Sequence, residues 1–248
     1  MTSTSAGNTL AIFGAGPVTG LSLARRFGRE GFRIALVSRT KRTQDEVAAA
    51  LAADGIEATG FTADVYDRTD IAAAVDAITA AYGRIDVVEF SPGGGTMGED
   101  IVPISGVTPE NARSAFDRFT LSAVALVDAV LPAMVERGHG TILFTAGQSG
   151  LHPVRFLGNA GMAQAALRNY YLNLNALLAP DGVHVGAVNV GMLIEGSVPH
   201  QVLAADPSFA VETVHPDVLA EHFWQLHHRR GQAEVLVGDL GRVAAEFG

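Results

Sequence analysis

The sequence has no cysteine among its 248 residues. Without cysteine the chain has no disulfide bond, no thiolate nucleophile and no cysteine-ligated metal site. Basic residues are also scarce, because 17 Lys and Arg stand against 26 Asp and Glu and the formal net charge is −9. This acidic balance argues against nucleic acid as the main partner.

Signals for a membrane or for export are also missing. The sequence suggests no stretch long and apolar enough to span a bilayer, so no membrane partner is expected. Residues 1–8 are small and polar, with no basic segment followed by a hydrophobic run. We therefore expect a flexible N-terminus rather than a signal peptide, and a cytoplasmic protein. Residues 9–248 are expected to form a single domain.

Apolar, strand-like runs alternate with alanine-rich helical stretches along almost the whole chain. Because the strands are apolar throughout instead of alternating with polar residues, they indicate a parallel sheet covered on both faces. The predicted fold is α/β, a doubly wound, mostly parallel sheet of Rossmann type with about seven strands and helices on both faces. The predicted strands are Thr9–Gly14, Phe32–Ser38, Ala58–Asp64, Ile85–Phe90, Thr141–Thr145, Val183–Val190 and Glu234–Val237. The predicted helices are Leu21–Glu30, Gln44–Asp54, Asp70–Tyr82, Pro109–Arg137, Gly158–Leu178 and Pro216–His227.

A glycine-rich turn lies between the first strand and the first helix. It contains Gly14, Gly16 and Gly20, with Val18 among them. Glycines suit this place because the turn is tight, a pyrophosphate must approach backbone N–H groups, and the helix must pack closely. The position of the turn in a βαβ unit predicts a dinucleotide site, although a tight turn that binds nothing would have the same sequence.

Basic residues follow the second strand, where an acidic residue would bind the adenosine ribose of NAD. The strand ends at Ser38-Arg39, with Lys41 and Arg42 close behind. Basic side chains suit a 2′-phosphate and favour NADP(H), while NAD(H) and no cofactor stay open as alternatives. Lys41 and Arg42 are equally well explained as solvated surface charges. Asp64-Val65 ends the third strand, where an adenine ring would lie.

Several segments, in order and at suitable spacing, resemble the short-chain dehydrogenase/reductase family over nearly the whole chain. Membership implies a nicotinamide cofactor and a homodimer or homotetramer formed through the two long helices. The segments that carry the resemblance are the glycine turn, Ala63-Asp64-Val65, Ile85-Asp86-Val87-Val88, Leu131-Pro132-Ala133-Met134, Gly140-Thr141-Ile142-Leu143 and Ala179-Pro180-Asp181-Gly182-Val183-His184-Val185.

The motifs that carry chemistry in that family depart from its pattern in this chain. In the glycine turn, the usual Thr falls on Phe13 and the middle glycine on Val18. The Asn-Asn-Ala-Gly motif falls on Phe90-Ser91-Pro92-Gly93. By the same resemblance, the four catalytic positions Asn, Ser, Tyr and Lys fall on Phe119, Gly147, Ala160 and Gln164.

These replacements remove the usual acid–base chemistry. In the family the Tyr hydroxyl exchanges a proton with the substrate, the Lys lowers the pKa of the Tyr and holds the ribose, and the Ser polarises the carbonyl. Neither Gly147 nor Ala160 has a side chain that can do this. Since positioned acid–base groups contribute about 10²–10⁴ in rate, we expect ordinary ketone reduction to be very slow. Gln164 can still hydrogen-bond a ribose hydroxyl.

Four other residues are candidate substitutes. Glu89 is a carboxyl group in an otherwise apolar strand and must be paired or functional. His152, in the loop after the fifth strand, titrates near neutrality when unperturbed, although a loop histidine is more often a surface or capping group. Gln148 and Asn159 flank the vacated positions and are candidate donors to a substrate carbonyl. No metal site is predicted.

The sequence favours an atypical NADP(H)-binding oxidoreductase that acts on a small organic substrate. A conjugated enone or a preformed iminium would need little help with protonation. Two alternatives stay open, a redox-inactive isomerase, cyclase or lyase on the same scaffold and a non-catalytic binding protein. The catalytic candidates are Glu89, Gln148, His152, Asn159 and Gln164. The cofactor-binding candidates are Gly14, Gly16, Val18, Gly20, Ser38, Arg39, Asp64, Val65, Ser91, Gly93, Gln164 and Ile194.

Overall fold

The structure is a computed structural model that describes residues 7–93, 95, 97–203 and 212–247. Most of the predicted flexible N-terminus, residues 1–6, lies outside the described residues. The strands are β1 (Thr9–Phe13), β2 (Arg33–Ser38), β3 (Ala58–Thr62), β4 (Val87–Phe90), β5 (Gly140–Gly147), β6 (Val183–Val190), β7 (Leu193–Ile194), β8 (Thr213–Val214) and β9 (Glu234–Val237). The helices are α1 (Thr19–Gly28), α2 (Lys41–Ala53), α3 (Arg68–Tyr82), α4 (Pro109–Ala115), α5 (Ser122–Glu136), α6 (Gly158–Leu178), α7 (Val198–Leu203), α8 (Pro216–Arg229) and α9 (Leu240–Phe247).

Seven strands form one parallel sheet in the order β3-β2-β1-β4-β5-β6-β9. The predicted doubly wound, parallel Rossmann-type architecture is therefore confirmed. Two apolar cores cover the sheet. Helices α3, α5 and α6 pack on one face, and α1, α2 and α8 pack on the other. Neighbouring side chains of a strand alternate between these cores, and for this reason the strands are apolar at every position.

Four elements in the carboxyl-terminal part of the chain were missed by the sequence prediction. The short strands β7 and β8 pair in parallel as a separate two-stranded sheet, and α7 and α9 are short helices. Strands of two residues and helices of six or eight residues are too short for apolar periodicity to identify.

The long helix after β4 differs from the uninterrupted helix that was predicted. A π-helical turn, Phe116–Leu121, joins α4 to α5. The Thr120 hydroxyl donates to the carbonyl oxygen of Ala163 at 2.9 Å, and the Ser122 hydroxyl donates to that of Asp117 at 2.8 Å. The turn places Phe119 against α6, where the candidate site lies.

The expectation that no stretch of the chain is long and apolar enough to span a bilayer was wrong. The continuous helical segment Pro109–Glu136 is long and apolar enough to cross a bilayer, with a mean hydropathy of 1.7 over an 18-residue window. Its apolar character has a simpler cause in this fold. Helix α5 contributes Ala123, Leu126, Val127, Val130 and Met134 to the core beneath the sheet.

Candidate active site

The carboxyl ends of β1 and β4 lie side by side in the middle of the sheet. Here the strand order reverses, because β2 and β3 extend to one side of β1 while β4, β5 and β6 extend to the other. Ligands of doubly wound sheets bind in the crevice at such a reversal. The glycine-rich turn between β1 and α1 lies at this crevice.

Each glycine of the turn has its own structural reason. Gly14 has a φ of +98°, and a Cβ there would lie 2.1 Å from the carbonyl oxygen of Ser91. A Cβ on Gly20 would lie 3.0 Å from the Cα of Ala15, so close packing of helix against turn needs glycine there. Gly16 has nothing within 4 Å of a Cβ and leaves the surface of the turn open.

The start of α1 is suited to an anion. Its N-cap residue is Val18, which offers no side-chain hydrogen bond to the first turn, and that turn contains no acidic residue. Backbone N–H groups at an uncapped helix start attract negative charge. The Val18 side chain points toward the segment after β7, since a Cβ on Gly196 would lie 3.6 Å from a Val18 methyl group. Both residues line a cavity of about 380 Å³.

A second cavity, of about 230 Å³, lies beside the turn. The structure brings five of the predicted cofactor residues together in its lining. Four further lining residues were missed by the sequence reasoning, which selected glycines, charged residues and residues at strand ends in these segments and not the small or polar residues beside them. The predicted residues are Gly14, Ser38, Arg39, Val65 and Gly93, and the missed ones are Ala15, Thr40, Thr43 and Tyr66.

The three basic residues near this cavity differ in their pairing. Lys41 forms an exposed ion pair with Asp45 at 2.7 Å, and Arg42 forms one with Glu46 at 2.8 Å. Both pairs lie within α2, consistent with the view of Lys41 and Arg42 as surface charges. Arg39 has no ion-pair partner among the described residues. It is the cation that the cavity can offer to a ligand.

Tyr66 forms a wall of the cavity. Its hydroxyl donates to the carbonyl oxygen of Gly93 at 2.9 Å, and the guanidinium group of Arg118 lies 4.9 Å from its ring centre. Asp64 supports this wall, because its Oδ1 accepts a hydrogen bond from the backbone N–H of Tyr66 at 3.0 Å. Asp64 lies next to the cavity but does not line it.

The family model for short chain dehydrogenases matches residues 8–198 of this chain. That span contains the glycine turn, the cavity and every candidate catalytic position. The chain belongs to the short-chain dehydrogenase/reductase family. The resemblance seen in the sequence is thereby confirmed.

Individual relatives are distant. Oxidoreductase asL5 of Sarocladium schorii is 27% identical over 183 residues, which cover 74% of this chain and 71% of the relative. A metagenomic short-chain oxidoreductase solved in complex with NADP has a TM-score of 0.78 at 24% identity, covering 94% of this chain and 96% of that one. An actinorhodin polyketide ketoreductase variant solved with NADPH has a TM-score of 0.84 at 23% identity, covering 95% and 97%. The two structural likenesses support the fold.

Gly147 and Gln164, on which the sequence resemblance places two of the family's catalytic residues, are joined directly in this structure. Gln164 Oε1 accepts a hydrogen bond from the backbone N–H of Gly147 at 3.0 Å. A Cβ on Gly147 would lie 3.7 Å from Gln164 Cδ and 3.4 Å from the hydroxyl oxygen of Ser149. The sequence reasoning did not select Ser149, which is the nearest hydroxyl group to the vacated Ser position among these neighbours.

The other two positions are filled by apolar packing. Ala160 and Phe119 are both 5% exposed and belong to one apolar cluster with Ile101, Ala115 and Ala163. Ile101 comes from the segment after β4. Ala160, on which the resemblance places the family's Tyr, is therefore buried under apolar side chains.

The amide groups of Asn159 and Gln148 are occupied by the protein backbone. Asn159 Oδ1 accepts from the N–H groups of Val102 and Ala160, while its Nδ2 donates to the carbonyl oxygens of Asp100 and Asn111. Asn159 thus fastens the segment after β4 to the start of α6. The suggestion that Asn159 orients a substrate stays untested, but this geometry gives it a structural role.

Both ends of the Gln148 side-chain amide are likewise hydrogen-bonded to the backbone. Its Nε2 donates to the carbonyl oxygens of Asn189, Val237 and Gly238, and its Oε1 accepts from the N–H of Leu240 at 3.1 Å. These bonds connect β5, β6, β9 and α9. No amide hydrogen of Gln148 is left for a substrate.

His152 and Ile194 lie against other parts of the molecule. A Cβ on Gly241 would lie 3.0 Å from His152 Nδ1, which places the imidazole against α9. Ile194 belongs to β7, opposite Val214, and packs against the core on the α1 and α8 face. In the described part of the chain, no group of three His, Asp or Glu side chains is arranged to hold a metal ion.

Glu89 is fully buried in β4, between Ile12 of β1 and Leu143 of β5. Its Oε1 accepts hydrogen bonds from the hydroxyl groups of Ser91 and Thr145. Its Oε2 has no partner among the described residues. Burial raises the pKa of Glu89 to about 7, although the two hydrogen bonds act in the opposite direction. Glu89 is both paired and electrostatically unusual.

Proposed function

We propose that this protein binds NADP(H) at the carboxyl edge of the sheet and transfers hydride between the nicotinamide and a small organic substrate. The observation that carries the proposal is the 230 Å³ cavity between the glycine turn and the unpaired Arg39. The two structural neighbours were solved with NADP and with NADPH, which supports the proposal.

The residues present fit a dinucleotide. The open surface at Gly16 and the uncapped start of α1 suit a pyrophosphate. Arg39 and the N-terminal turn of α2, which Thr40 caps, suit a 2′-phosphate at the other end of the cavity. Gln164 Nε2 has no hydrogen-bond partner among the described residues and can donate to a ribose hydroxyl.

When bound, the reduced nicotinamide supplies a hydride. The chain's own residues bind and orient the cofactor, and the apolar cluster around Ala160 keeps water from the place of the usual Tyr. With neither Tyr nor Lys at these positions, α6 offers no proton donor, which favours a substrate that tolerates hydride addition without one. A conjugated enone delocalises the resulting charge, and a preformed iminium becomes neutral.

A second candidate function belongs to a different class. Glu89, with its raised pKa, would suit a cofactor-independent isomerase, cyclase or lyase in the same pocket. A non-catalytic binding protein is the third. All three hypotheses assume the same fold. They differ in whether the protein binds a dinucleotide and whether it catalyses hydride transfer.

Titration of the purified protein with NADPH, and separately with NADH, tests the proposal. We expect saturable NADPH binding, measured by calorimetry or cofactor fluorescence, and weaker NADH binding. No binding of either at about millimolar concentration, which corresponds to only about 4 kcal/mol of affinity, would overturn it. Binding without turnover of enones, iminium ions or ketones would favour the binding protein.

The Val18→Gly variant tests whether the side chain at the position of the family's middle glycine hinders the cofactor. If the Val18 side chain restricts the pyrophosphate, the variant binds NADPH more tightly than the parent protein. The Leu21→Ala variant is a matched control, because Leu21 lines the same 380 Å³ cavity outside the turn. Equal affinity in parent and Val18→Gly would mean that the side chain does not obstruct the cofactor.

A further inference from the structure

Three side-chain oxygens from two adjacent strands form a closed triangle beneath the candidate site. Glu89 Oε1 accepts hydrogen bonds from Ser91 and from Thr145, the latter at 2.7 Å. The Ser91 and Thr145 hydroxyl oxygens are also 2.7 Å apart. We refer to these three residues as the Glu89 triangle. Every pair of its oxygens is within hydrogen-bond distance.

The number of hydrogens in the Glu89 triangle depends on the charge of the carboxyl group. Three O···O contacts need three hydrogens, and the two hydroxyl groups supply only two. An ionised Glu89 therefore leaves one pair of oxygens in contact with no hydrogen between them. A protonated Glu89 supplies the third hydrogen. In the resulting ring, Glu89 donates to Ser91, Ser91 donates to Thr145, and Thr145 donates back to Oε1.

The surroundings of the second carboxyl oxygen lead to the same protonation state. Oε2 is buried without a partner among the described residues. No charged side chain in the described part of the chain interacts with Glu89, and its neighbours across β1 and β5 are Ile12 and Leu143. A buried charge with neither a counter-ion nor a full set of donors is costly, and protonation removes that cost.

The two hydroxyl groups lie between this buried acid and the crevice. Ser91 and Thr145 are partly exposed, whereas Glu89 is 0% exposed. Ser91 lies against the glycine turn, since its carbonyl oxygen is 2.1 Å from where a Cβ of Gly14 would be. Thr145 precedes Gly147 by two residues on β5 and therefore faces the same side of the sheet.

We propose that the Glu89 triangle donates a proton to the bound substrate, with the Ser91 hydroxyl touching the substrate oxygen and Glu89 acting as the reservoir. This inference rests on the proposed function. It moves the proton donor from α6, where the family has its Tyr, to the ends of β4 and β5.

The proton and electron balance can be written for an enone. Hydride addition to the β-carbon breaks the C=C π bond, and the electron pair moves through the conjugated system to the carbonyl oxygen. The Ser91 hydroxyl hydrogen turns from Thr145 to the substrate oxygen, the Ser91 O–H bond breaks and its proton joins that oxygen, while the proton on Glu89 Oε1 moves to Ser91 Oγ. The enone is reduced, NADPH is oxidised to NADP⁺, and Glu89 regains a proton from solvent. An iminium substrate takes up hydride without any proton.

Infrared spectroscopy of the full-length protein tests the reservoir without any cofactor. At pH 6 we expect the carbonyl-stretch band of a protonated, buried carboxyl group in the parent protein. The band should be absent from Glu89→Gln and unchanged in Glu46→Gln, which alters an exposed carboxylate. On transfer to D₂O the band should shift quickly in the parent protein and more slowly in Ser91→Ala. A missing band, or an exchange rate unaffected by Ser91→Ala, would overturn the proposal.

Two probes then separate proton delivery from hydride transfer, namely cyclohexenone and an N-methyl dihydroisoquinolinium salt, each with NADPH. We expect Glu89→Gln to slow enone reduction by about 10²–10⁴-fold, to flatten its pH profile, and to leave iminium reduction within about twofold. Thr145→Val should resemble Glu89→Gln, and Thr145→Ser, which keeps the hydroxyl group, should lose less enone reduction than Thr145→Val.

The outcomes distinguish the two proposals. Equal slowing of both probes by Glu89→Gln would show that the residue acts through cofactor binding or folding, and the proton role would be wrong. If the parent protein binds no NADPH or reduces neither probe, the proposed function fails. In that case proton delivery to a reduced substrate fails with it, and the infrared result separately decides whether Glu89 is a neutral acid that exchanges through Ser91.

Discussion

Gln164 Oε1 accepts a hydrogen bond from the backbone N–H of Gly147 at 3.0 Å, which ties α6 to the end of β5. Replacing Gln164 by Leu leaves that N–H without its acceptor. We expect a loss of about 1–3 kcal/mol in the free energy of unfolding, measured by urea denaturation. Gln164→Glu keeps an acceptor and should lose less. Equal losses in the two variants would show that the hydrogen bond contributes little.

Arg39 should determine the preference for a 2′-phosphate. A charge-assisted hydrogen bond contributes about 1.5–3 kcal/mol, so Arg39→Ala should weaken NADPH binding by about tenfold to a hundredfold and leave NADH binding nearly unchanged. Arg42→Ala is the control, because Arg42 pairs with Glu46 in an exposed ion pair. Calorimetric titration measures all four affinities. A similar loss in both variants would indicate a general effect of positive charge.

Restoring the family's Tyr should fail. Ala160 is 5% exposed and packed in a cluster with Phe119 and Ile101, so Ala160→Tyr overfills the site. We expect a loss of about 1–3 kcal/mol in stability and no gain in ketone reduction. Ala165→Tyr, at an exposed position of the same helix, should stay within about 0.5 kcal/mol of the parent protein. A stable Ala160→Tyr variant that reduces ketones would show that the site has room.

Glu89 should make the protein less stable as the pH rises. Its pKa is raised from 4.5 to about 7 in the folded state, so the folded protein holds a proton that the unfolded chain releases. The stabilisation is complete below pH 4.5 and lost as the pH rises through 7. The stability of Glu89→Gln minus that of the parent should therefore grow by about 2–3 kcal/mol between pH 4.5 and 8. Glu46→Gln should show no such growth in urea denaturation.

His184 should act in the opposite direction. Burial, followed by the positive charge of Arg230, lowers the pKa of this imidazole from 6.5 to about 4. Below pH 6.5 the unfolded chain binds a proton at His184 that the folded protein does not bind. The free energy of unfolding is therefore highest above pH 6.5 and falls as the pH drops toward 4. Between pH 7.5 and 5, His184→Gln should lose about 1–2 kcal/mol less than the parent. The control His228→Gln alters an exposed histidine of α8 and should follow the parent.

The alternation of strands and helices, the parallel sheet and the glycine turn could all be predicted from the sequence alone. These are local properties, because a strand buried on both faces is apolar at each position and a tight turn before a helix needs glycine. The sequence also identified Glu89 as a carboxyl group out of place, and Arg39 as the basic residue following β2. Short elements such as β7 and α9 carried too little periodicity to be found.

The hydrogen bonds and ion pairs that these residues form depend on the three-dimensional arrangement of the chain. Lys41 and Arg42 look like Arg39 in sequence, but their carboxylate partners lie one helical turn away on α2. Gln148 and Asn159 resemble substrate ligands until their backbone partners, up to 92 residues away, are known. The Glu89 triangle exists because β4 and β5, far apart in the chain, are adjacent in the sheet. Hydrogen bonds between distant segments depend on strand order, which no local pattern encodes.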